Sequence, residues 1–182
     1  MRVAVVGGGI GGLTMALSLH AAGIDAHVYE AVAPLKPLGV GINLLPHAVR
    51  ELTELGLAQE IADLGIATEA LIYTNKFGQE IWREPRGLGA GYRWPQYSVH
   101  RGRLQMLLLE VAHARLGADR ICLGHKALRF ESEADHATAI FDHGSIVADV
   151  IVAADGIHSV ARAQKYPQEG PPIWNRRILW RG

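Results

Sequence analysis

Three glycines near the start of the chain, Gly7, Gly9 and Gly12, have the spacing G-x-G-x-x-G. In a sequence with 21 glycines that pattern alone says little. Its surroundings say more. The apolar run Val3-Ala4-Val5-Val6 before it suits a strand buried on both faces, and a helical pattern follows to about Ala22. A second strand then ends at Glu30. Strand, glycine turn and helix in that order form a turn able to hold the pyrophosphate of a dinucleotide. Gly7 permits the tight bend, Gly9 lets the backbone approach the phosphates, and Gly12 lets the helix pack on the strand. The helix directs unpaired N–H groups and its positive end at the same place. Glu30 closes the second strand, where its carboxylate can accept hydrogen bonds from ribose hydroxyls. A glycine-rich turn without a ligand is the alternative.

Further candidates lie far along the chain. Asp155-Gly156 follows the apolar run Val150-Ile151-Val152-Ala153, which reads as a parallel strand. An acidic residue at the carboxyl end of such a strand stands where open α/β sheets bind ligands, although an ordinary Asp-Gly turn reads the same way. Arg101 stands at the entrance of a predicted helix, Gly102 to about Leu116, where a guanidinium can meet a phosphate or a ring edge. Gln105 lies one turn later on the same face. The segment Gly39-Val40-Gly41-Ile42-Asn43-Leu44 can lie flat against a planar ligand or be a plain surface loop.

The elements that must position these residues follow from periodicity. In the first helix Ile10, Leu13, Leu17 and Ala21 form an apolar stripe, and Gly23 ends it. Residues 31–45 read as a loop marked by proline and glycine. Pro46 opens a helix with Val49, Leu52 and Leu55 on one side, and a short helix, Ala58 to Leu64, follows. Residues 70–74 and 80–83 predict a hairpin around Asn75-Lys76-Phe77-Gly78. Glu84 to Pro95 is irregular. Leu104, Leu107, Leu108 and Val111 give the next helix its apolar face, and Gly117 caps it. Ile121-Cys122-Leu123 reads as a third parallel strand. Three short strands at 126–131, 137–141 and 145–148 then form an antiparallel meander that crosses over to Val150–Ala153. The four tryptophans, Trp82, Trp94, Trp174 and Trp180, lie outside the dinucleotide core, and the preferred reading makes them the core of a second layer rather than the lining of a pocket.

Composition narrows the function classes. At 182 residues with 49% hydrophobic and 20% charged residues, the chain is long and apolar enough for a real core. Eighteen basic and eighteen acidic residues balance to zero, so nucleic acid is not expected as a partner. The single cysteine, Cys122, fits a reducing compartment and reads as a small buried strand residue. No charged segment followed by a long apolar stretch opens the chain, so neither a leader nor a membrane span is expected and a cytoplasmic location is. The nine histidines do not fall at metal-ligand spacing, and no metal site is predicted.

Taken together, the Gly7–Gly12 turn with Glu30, the Gly39–Leu44 loop, His100-Arg101 and Ala154-Asp155-Gly156-Ile157-His158-Ser159-Val160-Ala161-Arg162 resemble the single-component FAD-dependent aromatic hydroxylases. Pro37 to Asn43, Glu84-Pro85-Arg86-Gly87, Pro95 to Gly102 and Trp180-Arg181-Gly182 resemble the phenazine hydroxylases within that group. The resemblance spans the whole chain, with His47 after Pro46 where the family tends to have asparagine. It implies an α/β fold: a Rossmann-like FAD-binding domain, a parallel sheet with helices and a crossing antiparallel meander, joined to the start of a substrate-domain sheet. Residues 1–182 would be that domain, with about 68–98 and 173–182 belonging to a substrate domain otherwise absent.

The resemblance also implies roles. Gly7, Gly9 and Gly12 would cradle the FAD pyrophosphate, Glu30 would hold the adenosine ribose, and Ala31 would also bind the cofactor. Gly41 and Arg101 would meet the cofactor, with Gln105 assisting. Ala127 would meet adenine through its backbone. Asp155 would serve FAD and the approach of NADH or NADPH, the co-substrate. The nicotinamide nucleotide reduces the flavin, and dioxygen then supplies a hydroxyl group to a small, electron-rich aromatic substrate such as a phenazine. The flavin carries this chemistry, so no catalytic side chain is assigned. A homodimer is left open. Relatives carry a second Gly-Asp motif further along, and no Gly-Asp pair occurs here. The chain is therefore expected to be an N-terminal part of a hydroxylase that, alone, binds FAD weakly and does not hydroxylate. Two alternatives stand beside it: another two-dinucleotide-binding flavoprotein oxidoreductase, and an inactive FAD-binding-like module.

Overall fold

The computed structural model describes residues 1–178. The chain opens with β1 (Arg2–Val6), α1 (Ile10–Ala21) and β2 (Asp25–Glu30). It continues through β3 (Gly41–Leu44), α2 (Pro46–Glu54), α3 (Ala58–Leu64), β4 (Ile66–Ala67), the hairpin β5 (Ala70–Thr74) and β6 (Glu80–Pro85), and β7 (Tyr97–His100). After α4 (Arg101–Leu116) come β8 (Ile121–Leu123), β9 (Ala127–Ser132), β10 (Ala137–Phe141), β11 (Gly144–Ala148), β12 (Val150–Ala153) and α5 (Val160–Lys165). Contacts divide the chain into two units: Met1–Lys36 with the described residues from Gln105 on, and Pro37–Leu104.

The first unit is built on a parallel sheet in the order β12-β1-β2-β8. Val3 to Val6 are at most 3% exposed, which is what a strand covered on both faces requires. Ala4 and Val6 face the meander with Tyr29, Ala127, Ala139, Phe141 and Ala148. By strand alternation Val3, Val5, Ala26 and Val28 face the other way, the side on which α1 packs. The meander sheet has the order β11-β10-β9, and it links β8 to β12 as the strand pattern predicts. Its outer edge at Phe130 is closed by Gln164, whose side-chain amide bonds both the N–H and the carbonyl of that residue. In α1 the buried residues are Gly12, Leu13, Ala16 and Leu17, while Ala21 is exposed. The apolar stripe is thus shorter than predicted. Cys122 is half-buried, and burial pushes its thiol up.

The second unit carries the three-stranded antiparallel sheet β3-β7-β4 and the separate hairpin β5-β6. Residues 41–44, read from sequence as loop, are a strand, paired Gly41 to His100 and Leu44 to Tyr97. Leu44, Val49, Leu52, Leu57, Ile61, Val99 and Leu104 form its buried apolar residues. The hairpin leaves Ile72, Tyr73, Ile81 and Trp82 exposed. The tryptophan reading is therefore corrected. Trp82 is 49% and Trp174 67% exposed, Trp94 is half-buried, and none of the three belongs to a core; Trp180 lies outside the described residues. Two strands alone cannot cover an indole on both sides. Among the described residues no helix is long and apolar enough to cross a membrane.

Candidate functional site

The glycine turn owes its shape to close packing at two of its glycines. Gly7 has φ +115°, and a Cβ there would lie 2.3 Å from the Ala154 carbonyl oxygen. A Cβ on Gly12 would lie 1.8 Å from the Gly7 carbonyl oxygen. Strand, turn and helix can therefore approach one another only without those side chains. Gly9 differs. Its φ of −74° is ordinary, and a Cβ added to it would meet no atom within 4 Å. The protein's own packing does not require a glycine there, and the space it leaves lies at the start of α1. That helix has no side-chain cap and no acidic residue in its first turn. Its first amides have no acceptor within the helix, and no side chain of its own first turn bonds or neutralises them. An open glycine before such an end fits a diphosphate group.

Gly8, between these residues, is fixed by two side chains. Its N–H donates to Glu30 Oε2 at 2.5 Å, and its carbonyl accepts from Gln105 Nε2 at 2.9 Å. Glu30 Oε1 accepts from the Val32 N–H at 2.8 Å. Each carboxylate oxygen so engaged keeps a further lone pair for a hydroxyl donor. Ala31 beside it is exposed. Ala127 is buried at the start of β9, its methyl group packed in the cluster with Tyr29 and Phe141.

Asp155 reaches the turn through sheet topology. The pairing of β1 with β12 continues past the strands, since the Ala154 N–H donates to the Val6 carbonyl at 2.7 Å. The strand order switches there: from β1 the parallel sheet runs to β2 and β8 on one side, and β12 lies on the other. Loops leaving two such strands open a crevice between them. Asp155 Oδ2 accepts from the amides of Val160 at 2.8 Å and Ala161 at 3.3 Å, and Ser159 Oγ accepts from Arg162 N at 2.9 Å. Arg162 in turn donates to the Ile157 carbonyl and pairs with Glu169. One carboxylate thus fixes the loop that follows β12.

Gly41 and Arg101 belong to the second unit. Gly41 begins β3 opposite His100. Arg101 is the exposed first residue of α4, and its N–H donates to the Val40 carbonyl at 3.1 Å. Gly39, at φ +123°, lies beneath its side chain, and a Cβ there would sit 3.5 Å from Arg101 Cβ. The first unit therefore gathers Gly7, Gly9, Gly12, Glu30, Gln105 and Asp155 about one turn, while Gly41 and Arg101 are neighbours of each other in the second. Sequence reasoning missed Gly8 and Ser159. Ser159 was legible as a helix cap three residues before Arg162; the double hold on Gly8 was not, since its partners stand 22 and 97 residues away. Among the described residues no group of three or more His, Cys, Asp or Glu side chains could hold a metal ion.

A parallel sheet whose switch point carries this turn defines a dinucleotide-binding α/β protein. Residues 1–171 match the FAD binding domain family, and the chain belongs to it. It is 45% identical, over 99% of its length, to the phenazine 1,6-dicarboxylic acid hydroxylase PhzS of Lysobacter antibioticus, and covers 46% of that protein. It is 37% identical to the 3-amino-4-hydroxybenzoate 2-monooxygenase of Streptomyces cremeus over 89% of this chain and 41% of that one. The crystal structure of Klebsiella pneumoniae HpxO complexed with FAD and uric acid superimposes with a TM-score of 0.74 at 30% identity, covering 90% of this chain and 41% of that chain. The chain thus spans under half the length of the relatives it matches.

Proposed function

We propose that this chain is the N-terminal, FAD-holding portion of an NADH- or NADPH-dependent flavin monooxygenase that hydroxylates a small aromatic, phenazine-like substrate with dioxygen. The observation that carries the reading is the open space at Gly9, in a turn where Gly7 and Gly12 are accounted for by packing alone. FAD, when bound, supplies the redox chemistry. The protein binds and orients it. Gly7, Gly9 and Gly12 shape the pyrophosphate cradle, Glu30 faces the ribose with Ala31 beside it also binding the cofactor, and Ala127 presents its backbone to adenine. Gly41 and Arg101 meet the cofactor from their own unit. Asp155 fixes the loop that the cofactor and the nicotinamide nucleotide approach. Residues 68–98 and 173–182 belong in this reading to a substrate domain. The two-stranded hairpin with Ile72, Tyr73, Ile81 and Trp82 exposed supports this, since a hairpin of that kind gains stability from further strands. The location is cytoplasmic, consistent with the balanced charge and the free thiol.

Two measurements test the proposal. Flavin titration of the 182-residue chain at micromolar protein should show FAD binding that is weak and specific, competed by ADP-containing nucleotides but not by riboflavin. No binding at any concentration sinks the FAD reading, and saturation near one equivalent sinks weak binding. In a polypeptide extended to the length of its relatives, aerobic NADH or NADPH oxidation should rise when a phenazine or phenol is added. Oxidation of an amine or alcohol without a nicotinamide nucleotide would instead make it a different flavoenzyme.

A further inference from the structure

The two side chains that hold Gly8 fix two different peptide planes. The Glu30 bond acts on the plane between Gly7 and Gly8. That plane is also confined on its other edge, where the Gly7 carbonyl lies against Gly12. The Gln105 bond acts on the next plane, between Gly8 and Gly9. A trans peptide carries its C=O and N–H on opposite edges, pointing in opposite directions. The peptide between Gly8 and Gly9 is trans. A grip on the Gly8 carbonyl therefore sets where the Gly9 N–H points. Gly9 is also the residue whose Cα faces open space. Between two glycines this plane has no Cβ on either side to restrict it. Gln105 supplies the donor from the second turn of α4, and among the described residues its half-buried amide bonds no other group in place of Gly8.

We propose that Gln105 is a positioning residue, which grips the Gly8 carbonyl and thereby aims the Gly9 N–H at a ligand phosphate without itself touching the ligand. The inference rests on the FAD reading only for what the amide binds; the grip belongs to the free chain. This departs from the role that resemblance implied for Gln105, a cofactor contact.

The test uses Gln105→Met, which keeps the length of the side chain and removes the donor. Gln105→Glu is the second variant, and it puts an acceptor against the carbonyl. In the FAD-free chain the Gly9 amide resonance should move and its hydrogen exchange should quicken in both variants, more in Gln105→Glu. The melting temperature should stay close to that of the parent chain. FAD affinity should fall about fivefold in Gln105→Met, the equivalent of one neutral hydrogen bond. A Gly9 resonance unmoved in both variants overturns the proposal. So does a loss of FAD affinity with that resonance unmoved, because Gln105 would then be a direct contact. If the parent chain takes no FAD, the cofactor reading fails on its own, and the Gly9 resonance of the free chain still decides whether the grip exists.

Discussion

The three glycines of the turn have different reasons to be glycine, and substitution should separate them. Gly12→Ala puts a methyl carbon 1.8 Å from the Gly7 carbonyl oxygen, so helix or strand must shift. We expect a loss of about 3 kcal/mol or more in a urea melt, within the range for overpacking at a rigid backbone contact. Gly9→Ala meets no protein atom. It loses roughly 0.5–1 kcal/mol as a helix cap and regains about as much from a stiffer unfolded chain. Its melt should match the parent while FAD binding weakens at least tenfold. Equal affinities for the parent and Gly9→Ala would remove the main support for the cofactor site. A third residue, His27 on β2, gives a pH effect. Its Nε2 meets Arg120 Nη1 and lies 3.5 Å from Asp25 Oδ1. Burial first, then the Arg120 cation, hold its pKa below the ordinary 6.5, with Asp25 opposing more weakly. As pH falls through 6.5 the unfolded chain takes up this proton and the folded chain does not, so stability declines below pH 6.5. Urea melts at pH 7.5 and 5.5 should show the difference, and His27→Gln should reduce it.

At the scale of elements, α5 depends on Asp155. Six residues do not make a stable helix alone, and two of its first amides end on that carboxylate. Asp155→Ala should cost about 1 kcal/mol, the usual worth of a lost helix-start acceptor, and should speed hydrogen exchange at Val160 and Ala161 before any other amide of the unit. Unchanged exchange at both would mean that Ser159 alone holds the helix. The strands of the first unit were legible because their apolar runs and bounding glycines are local signals. β3 was not read, although Ile42 and Leu44 alternate with Gly41 and Asn43. Gly39 and Gly41 hid the alternation, and the partner Tyr97–His100 lies over fifty residues on. β4, two residues long, carries no sequence signal at all. The tryptophans misled because a large aromatic usually means a core, whereas Trp82 stays exposed on its hairpin with Tyr73 of the same hairpin beside it.

At the scale of the molecule, two units divide the candidate residues, and each unit positions its own. The weak FAD binding and absent hydroxylation expected of this chain belong to this scale, because the chain spans under half of its relatives' length. Sequence alone determined the β-α-β unit, the crossing meander, the glycine turn and the family resemblance, since each rests on residue type at short spacing. It could name Gly7, Gly9 and Gly12 together but could not tell them apart. Only the tertiary structure showed that Ala154 crowds Gly7 while nothing crowds Gly9, because that depends on β12 pairing beside β1 some 147 residues away in the chain. It alone joined Gln105 to Gly8. A peptide plane between two glycines has no local preference strong enough to fix it, so its direction is decided by whatever the fold brings against it.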